Sequence, residues 1–526
     1  MRVRRAIRDV RVAPGHVLVA IIAAAVVWIA YDDGSYGLPA RATLAIAVLW
    51  GIVVGLALRV LSLSRLPRGA AVVGGLLVAL VAWTLVSIAW APSAEATFAE
   101  FNRAALFLAV YVLVVLTARR ETVGRWADAL AIGIAVVAVV ALVSRLFPGS
   151  LPDRDLPAFL PSAATRLSFP LGYWNGLAIF VALGVPLLLR IALLSRHGRL
   201  GAAALALIPV SVAVIYLASS RGGFLAVAVS LLVFLVLTHE RWSAVGATVV
   251  AAGGSAVAIG VLHSRSELVN GPLDGDLARD QGLSAALLIA LTCLAVGISY
   301  RFGVRLLGRR LRPGRPAGRA AVAVAVLGVV VAIVATDPAK RFETFKRVPD
   351  ETSVQGDDFV RAHLLSGNGS GRWHFWSAAV DQWRDHPVVG QGAGTYESWW
   401  AEHASFTYFV RDAHSRYLEA LGELGILGFV LAVGLVLSGI AVGARRSRRL
   451  KGELRVTTAA LTAMVAAASM PDTVIAFETT TVLGSTFVCV AKLKLSGVVS
   501  AGAASVVTVN AAATPPIVRV ALVVVA

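Results

Sequence analysis

Apolar runs of about 17–22 residues recur along the whole chain, separated by short polar loops. They fall near 16–31, 42–60, 70–90, 104–118, 126–147, 170–190, 200–219, 223–238, 243–262, 283–300, 320–336, 424–443, 456–470 and 482–496. A helix of that length crosses a bilayer with every backbone group bonded inside the segment. The pattern predicts an all-α, polytopic transmembrane bundle of about 12–14 spans, with weak runs such as 456–470. One interruption is long: the loop 337–423. Within it Gly371–Gly428 forms a polar, aromatic-rich island, and polar groups set between spans are where such proteins usually work. Inside the island, Trp373, Trp376 and Trp383 share one face of a predicted helix over 373–384. Two readings stand open for that face, an interfacial membrane anchor and a platform for sugar rings.

Composition agrees with a membrane chain. Of 526 residues, 58% are hydrophobic and 15% charged, and the mean hydropathy is +0.79. A soluble domain is nearer 45–50% apolar and about 25% charged. The net charge of +18 is spread over short loops. Every second loop is basic: the N-terminal MRVRRAIRDVR, 59–69, 118–125, 190–199, 300–319 and 444–455. That alternation predicts a cytoplasmic N-terminus in a multi-pass cytoplasmic (inner) membrane protein. It leaves 31–37, 148–169, 263–282 and 337–423 external. Scattered basic loops are a poor nucleic-acid surface. Cys293 and Cys489 both lie in apolar runs and read as small buried hydrophobes. The first apolar run reads as a span rather than a cleaved signal.

The predicted external loops hold the candidate chemistry. In Ser219-Ser220-Arg221-Gly222-Gly223, an arginine at a membrane face needs a partner, and the glycines would let backbone approach a ligand. A helix-ending arginine with a glycine turn fits the same residues. Arg372 stands at the start of the predicted 373–384 helix, where its guanidinium and the positive helix end could face one anion. His414 lies just before the apolar run that begins at Leu424, and a neutral imidazole there can accept a proton from a hydroxyl. A structural histidine fits that position as well. Asp153-Arg154-Asp155 and Asp274-Gly275-Asp276 match a short acidic pattern that recurs by chance in polar loops. The histidines of the island lack zinc-site spacing, so no metal site is assigned. Gly390-Gln391-Gly392-Ala393-Gly394 reads as a flexible turn.

Several pieces taken in order resemble the O-antigen ligase family, which includes ligases and related polymerases. They are Arg166 through Asn175-Gly176-Leu177-Ala178, then Ser220-Arg221-Gly222, and then Arg372 with Trp376. His386-Pro387-Val388-Val389-Gly390-Gln391-Gly392 follows, and last come His414-Ser415-Arg416-Tyr417-Leu418 and Glu423-Leu424-Gly425. The resemblance covers 166–430 as a core, flanked by N-terminal helices in 1–165 and C-terminal helices and tail in 431–526. It implies a GT-C-like membrane glycosyltransferase that needs no metal or other cofactor. The implied donor is a glycan on undecaprenyl diphosphate. The implied acceptor is a hydroxyl of a lipid or polysaccharide outside the cytoplasmic membrane, in surface polysaccharide or lipopolysaccharide assembly. By the same resemblance Arg221 and Arg372 bind the diphosphate, and His414 acts at the acceptor hydroxyl. Arg166, Asn175, Trp376 and Tyr417 join them in holding substrate.

A transporter or flippase for a lipid-linked glycan precursor is the alternative. The hydropathy shows no pair of matching broken helices, and charges within the runs are scarce. Ligase and polymerase share the donor chemistry and differ only in acceptor, so the residues leave that choice open.

Overall fold

The computed structural model describes residues 14–61, 66–151, 165–271, 273, 275–304, 337–348, 360, 363–364 and 366–469. The expected spans 320–336 and 482–496, Asp153-Arg154-Asp155, Asp274, Cys489, the basic N-terminus and the tail beyond Lys494 lie outside them.

The described residues form helices and contain no strand. In order, α1 is Pro14–Tyr31, α2 Leu38–Ala57, α3 Arg68–Val86, α4 Ala94–Thr117, α5 Val123–Leu146, α6 Trp174–Leu194, α7 Gly198–Leu217 and α8 Arg221–Leu237. Then come α9 Arg241–His263, α10 Asp276–Ser299, α11 Pro338–Lys346, α12 Arg372–Asp385, α13 Tyr396–His403, α14 Arg416–Arg449 and α15 Gly452–Ala468. Nine of the described helices are long and apolar enough to cross a membrane, and α1 and α8 are shorter apolar helices. The chain is a multi-pass membrane protein.

The core sits where α6 packs against α5, α7, α8 and α15. Helix α15 covers the weak run 456–470, yet every residue from Val456 to Ala468 is buried. It is built of Ala and Thr, whose small side chains let neighbouring helices approach closely. A helix surrounded by protein does not need the greasy surface that lipid demands. Its hydroxyls bond back along the helix, Thr457 to the Glu453 carbonyl at 2.9 Å and Thr462 to the Thr458 carbonyl at 2.7 Å.

Charges do enter the spans. Arg190 of α6 pairs with Asp128 of α5, and its Nε donates to Thr457 Oγ1 of α15 at 2.7 Å. Arg145, at the end of α5, donates to the carbonyls of Thr165 and Leu268, both at 2.9 Å. It thereby ties two loops to the bundle.

Helix α14 is broken. Gly425 has φ +66° and ψ −167°, which separates Arg416–Leu424 from the rest. The groups freed by the break bond to the Gly390–Gly394 loop and its neighbours. The Gly392 N–H donates to the Glu423 carbonyl at 2.8 Å, the Gln391 N–H to Gly422 at 3.3 Å, and the Ile426 N–H to Pro387 at 3.0 Å. Trp83 Nε1 of α3 donates to the Leu424 carbonyl at 3.0 Å, and Trp90 Nε1 to Gly390 at 3.2 Å. The expectation of a flexible turn at 390–394 is therefore corrected. The glycines serve a close backbone seam that closes the break.

Candidate functional site

Three segments meet at the N-terminal ends of α6, α8 and α12. The Leu167 N–H donates to the Leu217 carbonyl at 3.1 Å, which brings the loop before α6 to the end of α7. Arg166 is buried there, with its guanidinium 5.1 Å from the centre of the Trp174 ring. Ser220 caps α8, its Oγ accepting the Gly223 N–H at 3.1 Å, and this sets Arg221 as the first helical residue. Ser219 Oγ donates to the Val360 carbonyl at 3.1 Å. Arg221 Nη1 donates to Ser366 at 2.7 Å, and Arg372 Nη1 to Gly369 at 3.3 Å. Three polar side chains thus hold the carbonyls of Val360, Ser366 and Gly369.

The glycine expectation at 222–223 needs correction at one position. A Cβ on Gly223 would lie 2.9 Å from both Ala178 and Ile215. That glycine allows α8 to close on α6 and α7.

His363 lies among Arg166, Arg221 and Arg372, and nothing in its sequence surroundings marks it. Burial first, and then the three cations, hold its imidazole down to about 2. Burial also lowers the Arg166 guanidinium to about 10, with Arg372 and Arg221 adding to the effect and Tyr173 and Tyr408 opposing it. Arg166 stays cationic at neutral pH. Three positive charges held together in a partly dehydrated place make a site for a multivalent anion.

The His363 shift has a consequence for stability. The folded chain keeps the imidazole neutral, whereas the unfolded chain protonates it below its ordinary 6.5. Between those two values the unfolded state binds more protons, so stability falls as pH falls. We expect His363→Gln to shrink the loss of thermal stability between about pH 7 and about pH 5, relative to wild type, in detergent melts. An unchanged difference would count against a neutral, half-buried His363.

His414 has φ +51°, in a tight turn before α14. Its ring packs at 5.6 Å on Phe375, which lies one helical turn along α12 from Arg372. The α12 helix joins the two halves of the site. Its buried face is Phe375, Ala378, Ala379 and Gln382, spaced as an amphipathic helix requires. Trp373 and Trp376 rest on α11, with ring centres 5.4 Å from Phe342 and 5.5 Å from Phe345. Trp383 Nε1 donates to the Pro387 carbonyl at 3.0 Å. So the first two indoles are partly covered by protein, and Trp383 belongs to the start of the seam.

The remaining predicted residues are spread around this centre. Asn175 is buried, and its Nδ2 donates to the Tyr173 hydroxyl at 3.2 Å, close to Arg166. The Tyr417 hydroxyl donates to the Ser469 carbonyl at 2.8 Å, at the end of α15. Beside His414 lies a charged group that the sequence reading passed over. Arg103 of α4 pairs with Glu100 and faces Glu419, Asp412 and Glu423. Glu419 and Glu423 are i, i+4 neighbours on the first half of α14. The available signal was two carboxylates and an arginine at helical spacing beside apolar runs. Among the described residues no group of three or more His, Cys, Asp or Glu is placed to hold a metal ion.

The fold and site define a class: a multi-pass helical membrane protein with a cationic site and a histidine set between its spans. Residues 282–433 match the family model described as O-antigen ligase, a family of glycosyltransferase-type enzymes. That stretch, less than a third of the chain, is similar to a family whose role is polysaccharide ligation or polymerisation. The match contains Arg372 and His414, while Arg166, Asn175 and Arg221 precede it. No curated protein matches the chain.

Proposed function

We propose that the protein transfers a glycan from an undecaprenyl diphosphate carrier to an acceptor hydroxyl, on the external side of the cytoplasmic membrane. The observation that carries this is the gathering of Arg166, Arg221 and Arg372 about His363, with the His414 ring packed on Phe375, which lies one helical turn from Arg372. The acceptor oxygen attacks the anomeric carbon, and the bond from that carbon to the diphosphate oxygen breaks. Negative charge grows on the leaving diphosphate. Guanidinium forks fixed beforehand stabilise it without reorganising. His414 takes the proton the acceptor loses. A direct displacement inverts the anomeric centre. The alternation of basic loops supports an external position for the site. The break at Gly425 favours no transport path, because its groups are bonded into the seam.

In a strain that lacks the protein, complementation with His414→Ala or Arg372→Ala should leave lipid-linked glycan accumulated at unchanged protein level. Normal surface polymer with both variants would overturn the proposal. Mass spectrometry of the same strains separates the acceptors. Short units on the final acceptor indicate a polymerase, and long chains left on the carrier indicate a ligase.

A further inference from the structure

Glu419 has no part in the reaction set out above. It is 5% exposed on the first half of α14, facing Asp412, Glu423, Arg416 and Arg103. Its Oε2 accepts the Ala413 N–H at 3.2 Å. Ala413 is fully buried and directly precedes His414, whose φ of +51° is unusual for a residue with a side chain. Such a conformation is strained and persists only where surrounding contacts determine it. The Phe375 ring against the imidazole and the Glu419 carboxylate on the preceding N–H do so here. Glu423, one turn further along the same half-helix, accepts the Tyr396 N–H at 3.0 Å in the same manner. The half-helix up to Leu424 therefore presents two carboxylates to backbone donors in separate segments, the start of α13 and the turn that carries His414.

We propose that Glu419 is the positioning residue for His414. Its carboxylate holds the 412–415 turn so that the imidazole meets the acceptor hydroxyl. This rests on reading His414 as the base. The charged groups that Glu419 faces are Asp412, Glu423, Arg416 and Arg103 rather than the three arginines, so its effect falls on turnover rather than on donor binding. A misplaced base costs up to about 100-fold even when every reacting group is present.

The test uses purified full-length protein with undecaprenyl-diphosphate-linked glycan and an envelope extract as acceptor, scoring released undecaprenyl diphosphate. Glu419→Ala should lower kcat by roughly 10- to 100-fold with donor KM nearly unchanged. Glu419→Gln keeps an oxygen to accept the Ala413 N–H and should recover most of the rate. Joining Glu419→Ala to His414→Ala should slow the enzyme no further than His414→Ala alone. If Glu419→Ala does not accumulate, Glu419→Asp carries the same expectation of lowered kcat at unchanged KM. A wild-type rate in Glu419→Ala beside an inactive His414→Ala overturns the positioning role alone. So does a Gln variant no better than Ala, or a loss that multiplies in the double variant. Normal turnover by His414→Ala overturns the base reading and the positioning role with it.

Discussion

Gly390→Ala is expected to remove folded protein from the membrane fraction. Gly390 has φ +69°, and a Cβ there would lie 2.2 Å from the Glu423 carbonyl oxygen and 2.5 Å from the Gly425 nitrogen. These are backbone atoms and cannot rotate aside. Gly425→Ala meets the seam from the other side, 2.3 Å from the Val388 carbonyl oxygen. Either change separates the loop from the broken helix. The carbonyls of Gly422, Glu423 and Leu424 would then lose donors in a place with little water. Each buried group left unbonded costs about 1–3 kcal/mol, against a total stability of about 5–15 kcal/mol. Gly253→Ala is the control, since nothing lies within 4 Å of its Cβ. Size-exclusion of a fluorescent fusion reads the outcome. A monodisperse peak of normal height from Gly390→Ala would contradict the seam.

The second large effect falls on chemistry. Arg221→Ala and Arg372→Ala should each lower release of undecaprenyl diphosphate by roughly 100- to 1000-fold under the proposed reaction, the scale seen when one fixed charge-stabilising donor is lost. Each arginine also holds a carbonyl, Ser366 for Arg221 and Gly369 for Arg372. A guanidinium has five donors and can hold its carbonyl while still facing phosphate. Lysine offers a point charge without the fork, so Arg221→Lys and Arg372→Lys should fall between alanine and wild type. Melting of each variant in detergent separates lost chemistry from a loosened loop. Full turnover by both alanine variants at wild-type stability would remove the arginines from the reaction.

How much was legible in the chain depended on the kind of interaction. Helix positions followed from hydropathy, because lipid imposes the same demand on every exposed span whatever its neighbours. The predicted helix over 373–384 is observed as Arg372–Asp385, since its apolar face repeats at helical period. The centrality of α15 was hidden for the opposite reason. A helix wrapped in protein is rich in Ala and Thr, which weakens the one signal that hydropathy reads. The glycines at 390, 392 and 394 showed that unusual backbone was needed, but not that its partner lay at Glu423–Gly425. His363 gave no local sign, and Glu419 only its helical spacing from Glu423.

By itself, then, the sequence determined an all-helical, multi-pass chain, the order of its polar motifs, and the family model that 282–433 matches. Periodicity and motif order are properties of neighbours along the chain. The tertiary structure decided which distant charges share a place. It set Arg166, Arg221 and Arg372 around His363, placed Glu419 beneath the His414 turn, and made a bonded seam of the glycine loop. Those arrangements depend on helix-to-helix contacts and on backbone bonds between segments far apart in sequence, and no local pattern encodes them.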